Sequence, residues 1–463
     1  MPTLKCSDAQ KDIKIRSIDS YCQRLHHHRE RESIIMASKN LVNVLNFPIP
    51  IFILLYSVSL MTSMSGMEIF GIGTCVLTLL YIIANYFFKM REFHLFRLGV
   101  EVPLACFLIV VYLGLVLNAP DSDHFFEMGQ QRWIIMLYLL TYAFELFPGL
   151  NRIINTLMVV SSLVAIYAIF EHFTGIDLIR GDNRAVTPAP VADAHVFQSA
   201  GFFGHHLSYG YSFGQIICFP FAALLLSRKK TRLQRLGFAV SCLIIGMSLF
   251  WTYGRGVWIA VAFAFFVMSL YVSKKTVIYF LLTFGLVGGI FYSVNPGFQE
   301  RLSSIWADGF HSNEDRRVLW KANLEMFNDY PWIGIGYQQN EPRTQEYYKK
   351  LGITHEFGGH AHNNYIQMLA TTGILGFFCY MLFILSFLLM TQRLWSDIPE
   401  THFWHRVIVL GALGSQVAFH VGGLTQWDFG DAVVRHLYVF ILAMVAYMAE
   451  RYSRGIVPDD YAL

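Results

Sequence analysis

Runs of about 20 consecutive apolar residues limit this chain's possible folds more than any other feature, because a helix of that length crosses about 30 Å of hydrocarbon. Such runs centre on Pro50–Met61, Ile69–Phe87, Leu104–Leu117, Trp133–Phe147, Ile153–Phe170, Tyr209–Leu226, Leu236–Trp251, Val257–Val272, Val277–Tyr292, Tyr365–Met390, Val407–Leu424 and Ala432–Tyr447. Charged residues make up only 14% of the chain and hydrophobic residues 55%. A soluble domain carries about 25% charge, so this chain lacks the means to cover a water-facing surface of its size. Disordered, collagen-like and small disulfide-rich classes are excluded by the same composition. The expected fold is all-α: a polytopic membrane protein of about 12 transmembrane helices. A net charge of +3 is too small to point to nucleic acid as a partner.

Lys and Arg set the orientation, since they concentrate on the cytoplasmic side. With the N-terminus inside, the inner loops hold Lys89, Arg91 and Arg97, then Arg228–Arg235, Lys274 and Lys275, Arg393 and Arg406, and Arg451 and Arg454. An even number of spans leaves both termini cytoplasmic. The expected division is a cytoplasmic tail at 1–40, spans one to nine at 41–293 with an outer loop at about 171–208, and a large outer loop at 294–362. Spans ten to twelve at 363–450 and a cytoplasmic tail at 451–463 complete it. Residues 1–40 do not read as a cleavable signal. The seven Cys form no CxxC pair, and the three-residue run His26–His28 reads as solvated; no metal site is expected.

Both long outer segments lie on one side and can cooperate there. In the larger, Asn313 followed by Glu314 and Asp315 predicts a helix start. Trp320, Leu324 and Phe327 recur on one face, and Pro331 stops the helix. Arg316 and Arg317 in its first turn can meet an anion, or pair with Glu314 or a headgroup. Gly334-Ile335-Gly336 lacks the rest of a nucleotide fingerprint and reads as backbone punctuation. His360, His362 and Asn363 stand immediately before the tenth span, where a His can move a proton or simply help cap a helix. Arg255, in a short outer turn otherwise poor in basic charge, binds a phosphate or snorkels to a headgroup. His205, His206, Arg180 and Arg184 are further candidates in the smaller loop, and His420 reads as a satisfied buried imidazole.

Four fragments, in this order, resemble the lipopolysaccharide O-antigen ligase and O-antigen polymerase superfamily. They are Gly201–Gly210, Tyr253–Trp258, Arg316–Trp320 with Asp329–Gly336, and His360–Gly376. The resemblance implies a GT-C type glycosyltransferase, with the ligase favoured by the spacing from His362-Asn363 to Gly373 and Gly376. It puts the family's histidine on His362 and its phosphate-handling arginines on Arg255 and Arg316, with Arg317 the fallback. His360, Asn363, Arg184, His205 and His206 are then candidate substrate contacts. The implied donor is an undecaprenyl-diphosphate-linked glycan and the implied acceptor a sugar hydroxyl of lipid A–core, at the periplasmic face of a bacterial inner membrane. No cofactor and no metal are implied. A polymerase joining lipid-linked repeats keeps the same chemistry. A lipid-linked sugar flippase is the alternative of a different class, and it would be expected to place its polar groups near mid-membrane.

Overall fold

The computed structural model describes residues 42–88, 96–147, 149–181, 186–190, 195–303, 311–354 and 357–457. The tail 1–40, Lys89, Arg91, Arg184 and the last residues, 458–463, lie outside them. Among the described residues no β-strand forms; a single antiparallel bridge joins Pro188 and Phe197 in the smaller loop.

A helical turn at 42–46 leads into α1 (Pro48–Thr62), followed by α2 (Met64–Phe88), α3 (Glu101–Asn118) and the short α4 (His124–Gly129). Then come α5 (Arg132–Glu145), α6 (Leu150–Thr174), α7 (His206–Ile216), α8 (Cys218–Leu226), α9 (Arg232–Phe250), α10 (Arg255–Val272) and α11 (Lys274–Val294). The large loop forms α12 (Pro296–Ser303), α13 (His311–Asp329) and α14 (Asn340–Lys350). The chain closes with α15 (Asn364–Asp397), α16 (Phe403–Gly422) and α17 (Ala432–Ser453). Each apolar run falls on one of these helices, with α7 and α8 sharing one.

Among the described residues ten helical segments are long and apolar enough to cross a membrane. The expected spans at α5 and α16 fall outside that set for two physical reasons. α5 has only 14 residues, about 21 Å of rise. α16 is enclosed by neighbouring helices along most of its length, so it carries buried polar groups such as His405, Gln416 and His420 in place of a lipid-facing apolar surface. Gln416 bonds Thr391 Oγ1 at 2.7 Å, and His420 Nε2 meets Tyr438 Oη at 2.8 Å. His420 is thus the buried, bonded imidazole that the sequence suggested. α17 is buried around nearly its whole circumference, whereas α11 is almost entirely exposed, as suits a helix facing lipid.

α15 is broken at Gly373 (φ +62, ψ −171), and the break is filled by the loop between α13 and α14. Ile335 N donates to Ala370 O at 3.0 Å, while Ile374 N and Leu375 N donate to Pro331 O and Trp332 O at 2.8 and 3.2 Å. Backbone groups released by the kink are therefore satisfied by a second backbone, the condition for irregular chain at membrane depth. Contact is so close that a Cβ on Gly334 would lie 2.3 Å from Thr371 C, and one on Gly373 2.4 Å from Trp332 C. Asn118 on α3 adds a bond to Gly334 O at 2.7 Å. The segment Gly334–Gly336, expected to be simple punctuation, instead docks the outer helices onto the membrane body.

Helix α13 corrects two sequence expectations. It is helical from His311, so Asn313 lies inside it and does not cap it. Its buried stripe is Leu319, Ala322, Asn323 and Met326, while Leu324 is 42% exposed. The stripe packs on Ile335, Tyr347, Tyr348 and Ala370, so the helix lies on α14 and α15. Trp320 spends its indole N–H on Ala361 O at 2.8 Å. Lys350 ties α14 back to α13 through Asp329 at 2.7 Å and Glu325 at 2.9 Å.

Candidate active site

Five helix ends meet on one side of the bundle: the starts of α7, α10, α15 and α17 and the end of α16. Arg301 of α12 and Asn313 of α13 reach the start of α10, and α13 and α14 pack against the start of α15 through Trp320 and Asn340. Arg255 is the first residue of α10 and donates from Nη2 to Asn313 Oδ1 at 2.9 Å. Gly256 lets this turn approach its neighbours; a Cβ there would stand 2.1 Å from Thr425 Oγ1 and 2.4 Å from Tyr211 Oη. Tyr253, two residues earlier, has φ +55, a left-handed backbone uncommon for a bulky residue. Its carbonyl accepts from Arg301 Nη2 at 2.9 Å.

Arg316 lies on α13 about one turn beyond Asn313, half-buried, with no hydrogen-bond or ion-pair partner among the described residues. Its charge acts on Arg255, Arg301, His360, His362 and Tyr211. Arg317, one residue on, is exposed. Burial first, and then the charge of Arg316, hold Arg301 below the ordinary guanidinium value, with Glu300 pulling the other way. Three like charges held together in partial burial repel one another, and an anion placed among them relieves that repulsion.

The segment before α15 is clamped through the Ala361 peptide. Ala361 O takes the Trp320 indole, and Ala361 N donates to Gln367 Oε1 at 2.8 Å. Gln367 is itself held by Asn340, which also bonds Asn323 on α13 at 2.7 Å. This buried amide network links α13, α14 and α15 to the histidine segment, and a fully bonded network of that kind specifies one arrangement. His362 follows with φ +46. Its N–H donates to His360 Nδ1 at 3.1 Å, and the two rings lie 4.0 Å apart. His362 Nδ1 meets Gln426 Oε1 at 2.6 Å. Burial, His362 and Arg316 push His360 down to about 3. Burial is also the largest influence lowering His362, with Arg316 and His205 adding to it, while Gln426 and Asp315 oppose it. Both imidazoles are therefore neutral near pH 7.

Asn363 caps α15, accepting from Tyr365 N and Ile366 N at 2.9 and 3.0 Å and donating to Leu424 O at 2.9 Å. Its side chain is thus committed to structure. His205 caps α7 through Leu207 N, and its ring lies 4.4 Å from that of His206. His206 lies within electrostatic range of Arg301. Arg180 pairs with Asp177 at 3.5 Å and donates to Phe202 O and Phe203 O at 2.6 and 3.2 Å, pinning the loop that returns to α7. Arg184 lies outside the described residues. Among the described residues no three His, Cys, Asp or Glu side chains gather as metal ligands would.

Sequence reasoning missed Arg301 and Gln426. Arg301 follows Glu300 and reads as half of a surface ion pair; Gln426 carries no titratable signature. Asp428, fully buried with neither carboxylate oxygen hydrogen-bonded among the described residues, was missed likewise. Burial and then Asp431 raise its carboxyl well above the usual range.

No curated protein matches the chain. Residues 240–381 match the family model described as O-Antigen ligase, a segment that contains Arg255, Arg301, Arg316 and His362. With its many apolar helices the chain is a multi-pass helical membrane protein, and its segment 240–381 is similar to the O-antigen ligase family.

Proposed function

We propose that the chain transfers a glycan from a polyprenyl-diphosphate carrier, undecaprenyl diphosphate in a bacterial inner membrane, to a sugar hydroxyl of lipid A–core at the periplasmic face. One observation carries the reading: Arg255, Arg301 and Arg316 act on one another, and Arg316 also acts on neutral His362. The acceptor hydroxyl gives its proton to His362 while its oxygen attacks the anomeric carbon. The bond from that carbon to the diphosphate oxygen breaks, and the electron pair leaves with the diphosphate. Guanidiniums fixed in advance stabilise that charge where it develops. Direct displacement of this kind inverts the anomeric centre. Exposed apolar helices such as α11 offer the carrier's polyprenyl tail a lipid-side approach.

Reconstitution with a lipid-diphosphate glycan and two acceptors, lipid A–core and a second lipid-linked repeat, tests the proposal. A product with the mass of glycosylated lipid A–core supports it. Elongated lipid-linked product alone would replace it with a polymerase. Net translocation with no new bond would replace it with a transporter.

A further inference from the structure

The loop between α16 and α17 is fastened to the histidine segment at three successive places. Asn364 N donates to Gly423 O at 2.6 Å, Asn363 Nδ2 to Leu424 O at 2.9 Å, and His362 Nδ1 meets Gln426 Oε1 at 2.6 Å. The same loop is held from below by Thr425 on Tyr211 at 3.0 Å and from beside by the close approach of Gly256. Gln426 thus reaches His362 from a braced backbone, and His362 receives it from a left-handed backbone clamped at Ala361.

We propose that Gln426 is a positioning residue that fixes the tautomer and ring angle of His362, so that Nε2 is the atom that takes the proton in glycosyl transfer. An amide oxygen carries no hydrogen, so the 2.6 Å contact requires the proton on Nδ1. In a neutral imidazole that leaves the lone pair on Nε2. The choice of a neutral amide has a chemical consequence. A carboxylate at this distance would favour the imidazolium, which cannot accept a proton; an amide orients the ring and leaves it neutral. The other charged or titratable groups facing His362 are Arg316 and Asp315 on α13, His205 before α7, and His360 on its own segment. Of these, Arg316 and His205 disfavour a proton on the ring, Asp315 favours one, and His360 stays neutral beside it.

This inference rests on His362 acting as the base, and the test separates the two. Full-length protein carrying Gln426→Glu, Gln426→Leu or His362→Ala is reconstituted with a lipid-diphosphate glycan, and kcat and kcat/KM are followed from about pH 4.5 to 9. Gln426→Glu should move the acid limb of kcat/KM upward by about one unit or more. Gln426→Leu should lower kcat roughly 10- to 100-fold with the donor KM nearly unchanged, the pattern of a misaligned group. An unmoved acid limb in Gln426→Glu, with wild-type kcat in Gln426→Leu, overturns the inference. Should Gln426→Leu fail to fold, the near-isosteric glutamate decides alone. Transfer retained in His362→Ala removes the base itself; loss there beside wild-type behaviour of both Gln426 variants removes only the role of Gln426.

Discussion

Arg255 Nη2 donates to Asn313 Oδ1 at 2.9 Å, joining the first residue of a membrane helix to the outer helix that carries Arg316. One amide therefore sets the spacing between two guanidiniums that are far apart in sequence.

Arg255→Ala and Arg316→Ala should each lower turnover of a lipid-diphosphate donor by about 10²-fold or more, the scale of losing one fixed donor to developing charge. Lys at either position should restore only part of it, because the planar two-pronged donor is lost. Asn313→Ala should fall between, since it keeps both charges and loosens one. Full activity in Arg316→Lys would reduce Arg316 to a generic positive charge. Steady-state assays on protein of matched expression check all three.

Arg301 has two duties, charge and support of the Tyr253 carbonyl in its left-handed turn. Arg301→Lys keeps the charge and weakens the support, whereas Arg301→Gln loses the charge and, being shorter, the support as well. If charge is what matters to the donor, Arg301→Gln should raise the donor KM several-fold while Arg301→Lys stays near wild type. Comparable losses in both variants would make Arg301 a brace for the Arg255 turn.

The spans and the histidine segment were legible in the sequence because lipid imposes long apolar runs and because His and Arg are chemically conspicuous. The stripe of α13 was misread for a physical reason. Trp320, Leu324 and Phe327 are its larger apolar residues, but the surface it meets is the packed face of α14 and α15, which takes Leu319, Ala322 and Met326. Periodicity finds a face; it does not say whether lipid, water or protein covers it. Amides such as Gln426, Asn340 and Gln367 were invisible, since their roles come only from partners that the fold supplies.

Gly334 and Gly352 both have left-handed φ, +72 and +65, yet only Gly334 is pressed against another backbone. A Cβ on Gly352 meets nothing within 4 Å, so Gly352→Ala should cost only the strain of the dihedral, about 1 kcal/mol. Gly334→Ala adds a backbone clash and must push α15 away from the loop, so it should cost more than about 3 kcal/mol. Thermal unfolding in detergent should show a small drop in midpoint for the first and a large drop or loss of folded protein for the second. Equal effects would mean that the loop yields easily and does not dock the outer helices.

The histidines predict a pH response whose sign is fixed by burial. His362 is held below the ordinary imidazole value of 6.5, so its neutral, proton-accepting form persists under mild acid. The acid limb of transfer should therefore lie below pH 6.5, and Arg316→Gln, by removing a nearby positive charge, should move the limb of its residual activity upward. His360, pushed to about 3, stays neutral in the folded chain while the unfolded chain takes up a proton near 6.5. Its contribution to stability is present above about pH 6.5 and is lost progressively as pH falls toward 3. His360→Asn should flatten that loss, seen as a smaller drop in unfolding midpoint between about pH 7 and 5. An acid limb above 6.5 in the native protein would instead place a negative group beside His362 strong enough to outweigh burial and Arg316 together.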